Sequence, residues 1–115
     1  MNKYRVSKKS DRTYNGTVYM SKLEMLYRKH LDLKMKVNDE RERVISYQEQ
    51  VPFKIVVNGF KICVYKLDFE VKYADRVEYI DIKGVRTSVY IIKKKLVEAL
   101  FGIKITEITK GDFRH

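Results

Sequence analysis

An α/β domain of the mixed-sheet, α+β kind is what this 115-residue sequence predicts. Three observations carry the prediction. Two segments, near residues 21–36 and 87–102, repeat apolar residues at helical spacing. Between them lie runs rich in β-branched and aromatic residues, the composition of strands. A further short strand-like run follows the second helical segment. A strand, a helix and a strand in succession imply a crossover on a mixed sheet with helices packed against it.

The elements follow in order. Residues 1–16 read as a poorly ordered basic arm, with Lys3, Arg5, Lys8, Lys9 and Arg12, that is either a frayed terminus or lies along a phosphate backbone. Ser21 to Glu24 has the form of a capping box, and Leu23, Leu26, Tyr27 and Leu31 recur at helical spacing, so a helix is expected to about Lys36. The polar "VNDERER" that follows is expected to turn. "VISYQEQ" and "VPFKIVV" read as strands, with Pro52 arguing against a regular central strand at that point. Asn58–Gly59 lies between "KIVV" and "FKICVY", a strong hairpin signal. Leu67, Phe69, Val71 and Tyr73 then alternate with Asp68, Glu70 and Lys72. A tight turn at "ADR" leads into "VEYIDIKG". The second helix is expected between a Thr87 or Ser88 cap and Gly102, with Val89, Ile92, Leu96 and Leu100 as its apolar stripe. "IKITEI" reads as the last strand. Residues 17–110 are therefore expected to form one domain, with residues 111–115 as a tail.

Composition narrows the function. Twenty-five Lys and Arg stand against fifteen Asp and Glu, a net charge of +10 that favours polyanions by long-range attraction. Nine Tyr and five Phe offer stacking surfaces. No apolar run approaches a membrane span, and no apolar segment follows the basic N-terminus, so a cytoplasmic protein with no membrane partner is expected. The single cysteine, Cys63, has no internal disulfide partner and reads as a small strand hydrophobe.

Three acid–x–Lys patterns occur, at Asp32–Lys34, Glu70–Lys72 and Asp81–Lys83. The first falls on the predicted helix, where residues two apart diverge. The second and third fall on strands, where both charges share a face. Position separates these two. If the turn after Tyr73 centres near Ala74–Asp75, Asp68 lies almost opposite Asp81, with Cβ atoms about 5 Å apart. Carboxylates that close repel unless a cation sits between them. Magnesium and manganese are cations that take such oxygen ligands. Lys83 beside them would orient water or stabilise phosphate charge, and Gly84 leaves the strand end open. The plainer alternative is a cross-strand salt pair on a wet sheet face. Glu24 either delivers a third carboxylate or completes its capping box and pairs with Arg28. Glu49 and Gln50 are either exposed strand residues or, for Gln50, part of the site. Tyr90 and Lys94 share a helix face near Lys83, and Lys93, Lys94 and Arg86 add positive charge. His30 reads as a surface or packing residue, with His115 far off in sequence.

Assembled, these residues resemble the PD-(D/E)xK nuclease superfamily: Glu24 in "SKLEMLY", Asp68 in "YKLDFEV", Asp81 and Lys83 in "YIDIKG". The chain is similar, more closely, to a family of short phage proteins placed in that superfamily. The shared features are an "SKxE" helix, Gln50 with Pro52 and Phe53, a "DF" strand, a "DxKG" strand, and Lys93, Lys95 and Leu96 with a trailing Glu98. The resemblance covers residues 17–108, and Leu67 stands where the superfamily name has proline.

The resemblance implies a restriction-endonuclease-like core of order αβββαβ and a DNA endonuclease akin to Holliday-junction resolvases. It implies Glu24, Asp68, Asp81 and Lys83 as catalytic residues. Glu24, Asp68, Asp81 and the Ile82 backbone carbonyl would bind Mg²⁺ or Mn²⁺. Lys8, Lys9, Arg12, Gln50, Arg86, Tyr90, Lys93 and Lys94 would contact DNA, branched or double-stranded. A homodimer, phage DNA recombination and the host cytoplasm are its further implications. Two rivals stand beside it: a non-catalytic nucleic-acid-binding protein on the same fold, and a basic phage protein that binds protein partners.

Overall fold

The computed structural model describes residues 8–113. Lys3, Arg5 and His115 therefore lie outside the described residues. Within them the protein is α+β, with two helices and a mixed four-stranded sheet. The expected order of a helix, three strands, a helix and a strand is present.

The stretch expected as an arm carries structure from Lys8 onward. A short 3-10 turn at Lys9–Arg12 leads into a small hairpin of β1 (Thr13–Tyr14) and β2 (Thr17–Val18). This unit sits against helix α1 (Lys22–Lys34), where the Tyr14 hydroxyl donates to Asp32 at 2.6 Å. Arg12 donates to the Tyr19 carbonyl at 2.6 Å, while Lys8 and Lys9 are exposed. Lys8, Lys9 and Arg12 are thus carried on or beside a folded unit rather than a loose strand of chain.

Helix α1 starts as its sequence dictates, with Ser21 accepting from the Glu24 amide at 3.1 Å. Its buried face is Glu24, Met25, Tyr27 and Leu31. Strand β3 (Ser46–Val57) runs straight through Pro52, because it is the edge strand of the sheet, where a missing amide donor is tolerated. The turn to β4 (Phe60–Lys72) uses Asn58 at φ 51° and Gly59 at φ 81°. Both central residues at positive φ match the hairpin turn expected of Asn-Gly. Strand β5 (Val77–Ile82) pairs antiparallel with β4, and β6 (Ile105–Ile108) pairs parallel with β5 through helix α2 (Ser88–Phe101). The sheet order is β3-β4-β5-β6.

Helix α2 is capped as expected. Thr87 accepts from the Tyr90 amide, and Gly102 at φ 66° closes the helix. Its face is not the expected one. Val89, Ile92 and Leu100 are exposed, and the buried residues are Tyr90 and Val97. The side that meets the sheet is the one on which Tyr90 and Val97, with half-buried Ile91 and Leu96, pack against Ile55, Tyr65, Leu67 and Ile105, and there the Tyr90 hydroxyl donates to Glu107.

The core falls into two clusters. One gathers Tyr27, Leu31, Val44, Phe69, Val71 and Ile80 around α1; the other gathers Ile55, Tyr65, Leu67, Val97 and Ile105 around α2. On β4 the division falls at Asp68, between Leu67 and Phe69. Opposite it on the edge strand, Gln50 takes φ 53°, a left-handed conformation costly for a residue with a side chain. Cys63 is half-buried on β4. Among the described residues, no helix is long and apolar enough to cross a membrane.

Candidate active site at the Asp68–Asp81 pair

The antiparallel β4–β5 register ends at Phe69↔Ile80, and Asp68 and Asp81 are the next residues beyond it on the two strands. The two carboxyl groups lie close enough for Asp81 to raise the Asp68 carboxyl. Asp81 is buried, at 1% exposure, and Asp68 is half-buried, so solvent reaches the pair through Asp68. Each carboxylate is anchored. Asp68 Oδ2 accepts from the Ile82 amide at 2.8 Å, and Asp68 Oδ1 from the Gln50 amide at 3.3 Å. Asp81 Oδ2 accepts from the Tyr65 hydroxyl and lies 3.3 Å from Lys83 Nζ.

Burial, with Asp81 as hydrogen-bond partner and like charge, pushes the Asp68 carboxyl up to about 8. Two acids in one desolvated place cannot both be charged without cost. The arrangement favours a proton or a cation there. Burial also raises the Tyr65 hydroxyl, reinforced by its bond to Asp81, so it serves as a neutral donor.

Lys83 is the cation already at hand. Its ammonium pairs with Asp81 and lies 3.9 Å from the centre of the Tyr90 ring. Tyr90 in turn donates to Glu107 at 2.8 Å, and Glu107 is the parallel-register partner of Asp81 on β6. Glu107 also receives Arg86 at 3.2 Å and Lys94 at 3.8 Å. Three residues expected at a phosphate backbone, Arg86, Tyr90 and Lys94, thus converge on Glu107 instead. Lys93 instead donates to the Val64 carbonyl at 3.3 Å. Beyond Lys83, a Cβ placed on Gly84 would meet nothing within 4 Å, so this strand end is open.

Glu24 is buried, at 8% exposure. Burial raises its carboxyl, and so do Glu49 and Asp81, while Lys83 lowers it. It shares the field of the pair. Among the described residues, however, no three His, Cys, Asp or Glu side chains come together as a group able to hold a metal. The structure unites Asp68, Asp81, Lys83 and Gln50 and leaves Glu24 at their margin. Arg28, considered as a Glu24 partner, turns to Glu49 at 3.0 Å, Asp32 at 3.7 Å and the Tyr19 hydroxyl. It also lies over the rings of Tyr14 and Tyr47.

Tyr65 and Glu107 carry no local signal that marks them out. Tyr65 continues an apolar alternation, and Glu107 is one polar residue on a short strand. A groove of about 310 Å³, lined by Tyr27, His30, Lys34, Tyr73 and Asp112 among others, lies apart from this site. The acidic pair, which has the chemistry, is the better candidate than the groove, which has the volume.

The chain belongs to the family described as "Protein of unknown function (DUF1064)", whose model matches residues 1–112. No curated protein and no solved structure matches it.

Proposed function

We propose that this member of the DUF1064 family is a metal-dependent endonuclease that hydrolyses DNA phosphodiester bonds on a restriction-endonuclease-like core of order αβββαβ. One observation carries the reading: Asp68 and Asp81 are held together by neighbouring strands, with Lys83 on Asp81, at an open strand end. Asp68 and Asp81 would hold Mg²⁺ or Mn²⁺, with Glu24 and the Ile82 carbonyl as further ligands. The donor chemistry fits, since all are hard oxygens and the upward shift of Asp68 marks a place that favours positive charge. Such an ion, when bound, supplies positive charge toward the scissile phosphate.

The chain's own residues do the rest. Tyr65, Gln50 and the Ile82 amide fix both carboxylates. Lys83, steadied by Asp81 and the Tyr90 ring, orients the attacking water and stabilises charge gathering on the phosphoryl oxygens. One water adds across a P–O bond, leaving a phosphate monoester and an alcohol. Branched duplex DNA is the favoured substrate, acted on by a homodimer in phage DNA recombination, by resemblance to small junction resolvases.

The test is cleavage of a four-way junction and a matched linear duplex in Mg²⁺ or Mn²⁺. Asp81→Ala and Lys83→Ala run beside the wild type. The wild type is expected to cut the junction, and each variant to lose about a hundredfold or more. No cleavage by the wild type with either metal, or equal cleavage by the variants, overturns the reading. A second reading, non-catalytic nucleic-acid binding, is favoured by the balance of charge in the cluster: Lys83 neutralises Asp81, and Asp68 tends to keep a proton. Salt-dependent binding without cleavage supports it.

A further inference from the structure

We infer that the outer face of the β3–β4 hairpin is the surface that grips duplex DNA and leads it to the Asp68–Asp81 pair. The inference rests on the nucleic-acid reading of that pair.

Residues 51–67 contain no Asp or Glu, and three lysines, Lys54, Lys61 and Lys66. The register gathers all three on one face. Lys54 lies opposite Val64, and Lys66 opposite Pro52. Between Ile55 and Val56 the register shifts, so that Val56 meets Lys61. The extra residue on β4 is Ile62. Without it, strict alternation would turn Lys61 to the face of Cys63 and Tyr65. The bulge sends it outward instead. The opposite face is closed, with Ile55, Tyr65 and Leu67 buried in the cluster around α2.

The three lysines are exposed and, among the described residues, in no ion pair, whereas Lys83, Arg86 and Lys94 are each paired with an acid. Pro52, Val56 and Val64 lie exposed among them, and Phe60 stands at the tip with 72% exposure. A two-stranded ribbon fits the major groove of B-DNA. The strip from Lys61 to Lys66 is about 17 Å long, and it ends about 7 Å along β4 from Asp68. A second copy of the chain on this face would set lysines against lysines across a two-fold axis. Duplex DNA answers the same charge directly.

The test is anisotropy of a labelled duplex with the full chain, in EDTA and over a series of salt concentrations. Wild type is compared with Lys54→Ala/Lys61→Ala/Lys66→Ala and with a charge-matched control, Lys36→Ala/Lys104→Ala/Lys110→Ala. Every replaced lysine is exposed. The hairpin variant is expected to lose about tenfold or more in affinity and to flatten the slope of log K against log salt by about two to three. The control is expected to change far less. Equal loss in both variants, or none in the hairpin variant, overturns the inference. So does a hairpin variant that alters sedimentation but leaves the salt slope intact, which marks a self-contact. Because binding is read without divalent metal, hairpin-dependent binding beside failed cleavage sinks the nuclease reading alone. Cleavage beside hairpin-independent binding sinks this inference alone.

Discussion

Burial pushes the Asp68 carboxyl up to about 8, and Asp81 beside it adds to the shift. The ordinary carboxyl value in an unfolded chain is near 4. Between these two values the folded state holds more protons at Asp68 than the unfolded state does. Stability contributed by the protonated form is therefore full below about 4 and is lost as pH rises toward about 8. Asp68→Asn keeps a neutral, hydrogen-bonding group and removes the titration. Its thermal midpoint is expected to exceed that of the wild type by about 2–5 °C at pH 9 and to match it more nearly at pH 5. Scanning calorimetry across that range checks the sign. Under the nuclease reading a divalent cation would replace the proton, so added Mg²⁺ is expected to raise the wild-type midpoint more at pH 9 than at pH 5.

At the scale of elements, Arg28 ties the N-terminal hairpin, α1 and β3 together. Its guanidinium meets Tyr19, Asp32 and Glu49 with its side chain 17% exposed. Hydrogen bonds from Tyr14 and Tyr47, with the Arg28 charge, hold Asp32 below the usual carboxylate range against the pull of burial. Arg28→Ala leaves Glu49 and Asp32 without their cation in a partly desolvated place. The expected cost is about 2–4 kcal/mol, read as a lower urea midpoint. The second link joins β5, α2 and β6. Tyr90→Phe keeps the ring under Lys83 and removes the bond to Glu107. Under the nuclease reading it is expected to lower kcat by several-fold to tenfold, with KM little changed. A loss confined to KM would place Tyr90 in binding instead.

Across the whole molecule, β4 is the strand with buried side chains in both core clusters. Leu67 and Phe69, fully buried, sit on either side of Asp68. The candidate site therefore lies on the strand where the two halves of the core are joined. Leu67→Ala is expected to cost about 3 kcal/mol and to lower both clusters together. Urea unfolding followed by far-UV circular dichroism and by tyrosine fluorescence should give coincident curves. Separated curves would show that the halves unfold independently.

Much of the fold was legible because it rests on neighbours in the chain. Alternation from Leu67 to Tyr73, the Asn58–Gly59 turn, and the caps at Ser21, Thr87 and Gly102 are all local rules, and all are present. The β4–β5 register followed too, because a tight turn fixes the register of the strands it joins, and it ends one residue short of Asp68 and Asp81. What lay beyond reach was decided between distant elements. The facing of α2 depended on the packing of Tyr90 and Val97 against distant strands, and the choice of Arg28 on Glu49 and Tyr19. Tyr65 joined the site through its hydrogen bond to Asp81, and Glu107 through the parallel β5–β6 register. By itself the sequence determined which residues alternate, cap and turn, since those depend on backbone geometry a few residues long. Only the tertiary structure decided which polar groups meet, since a buried acid or cation takes its partner from whatever the packing of distant elements brings near.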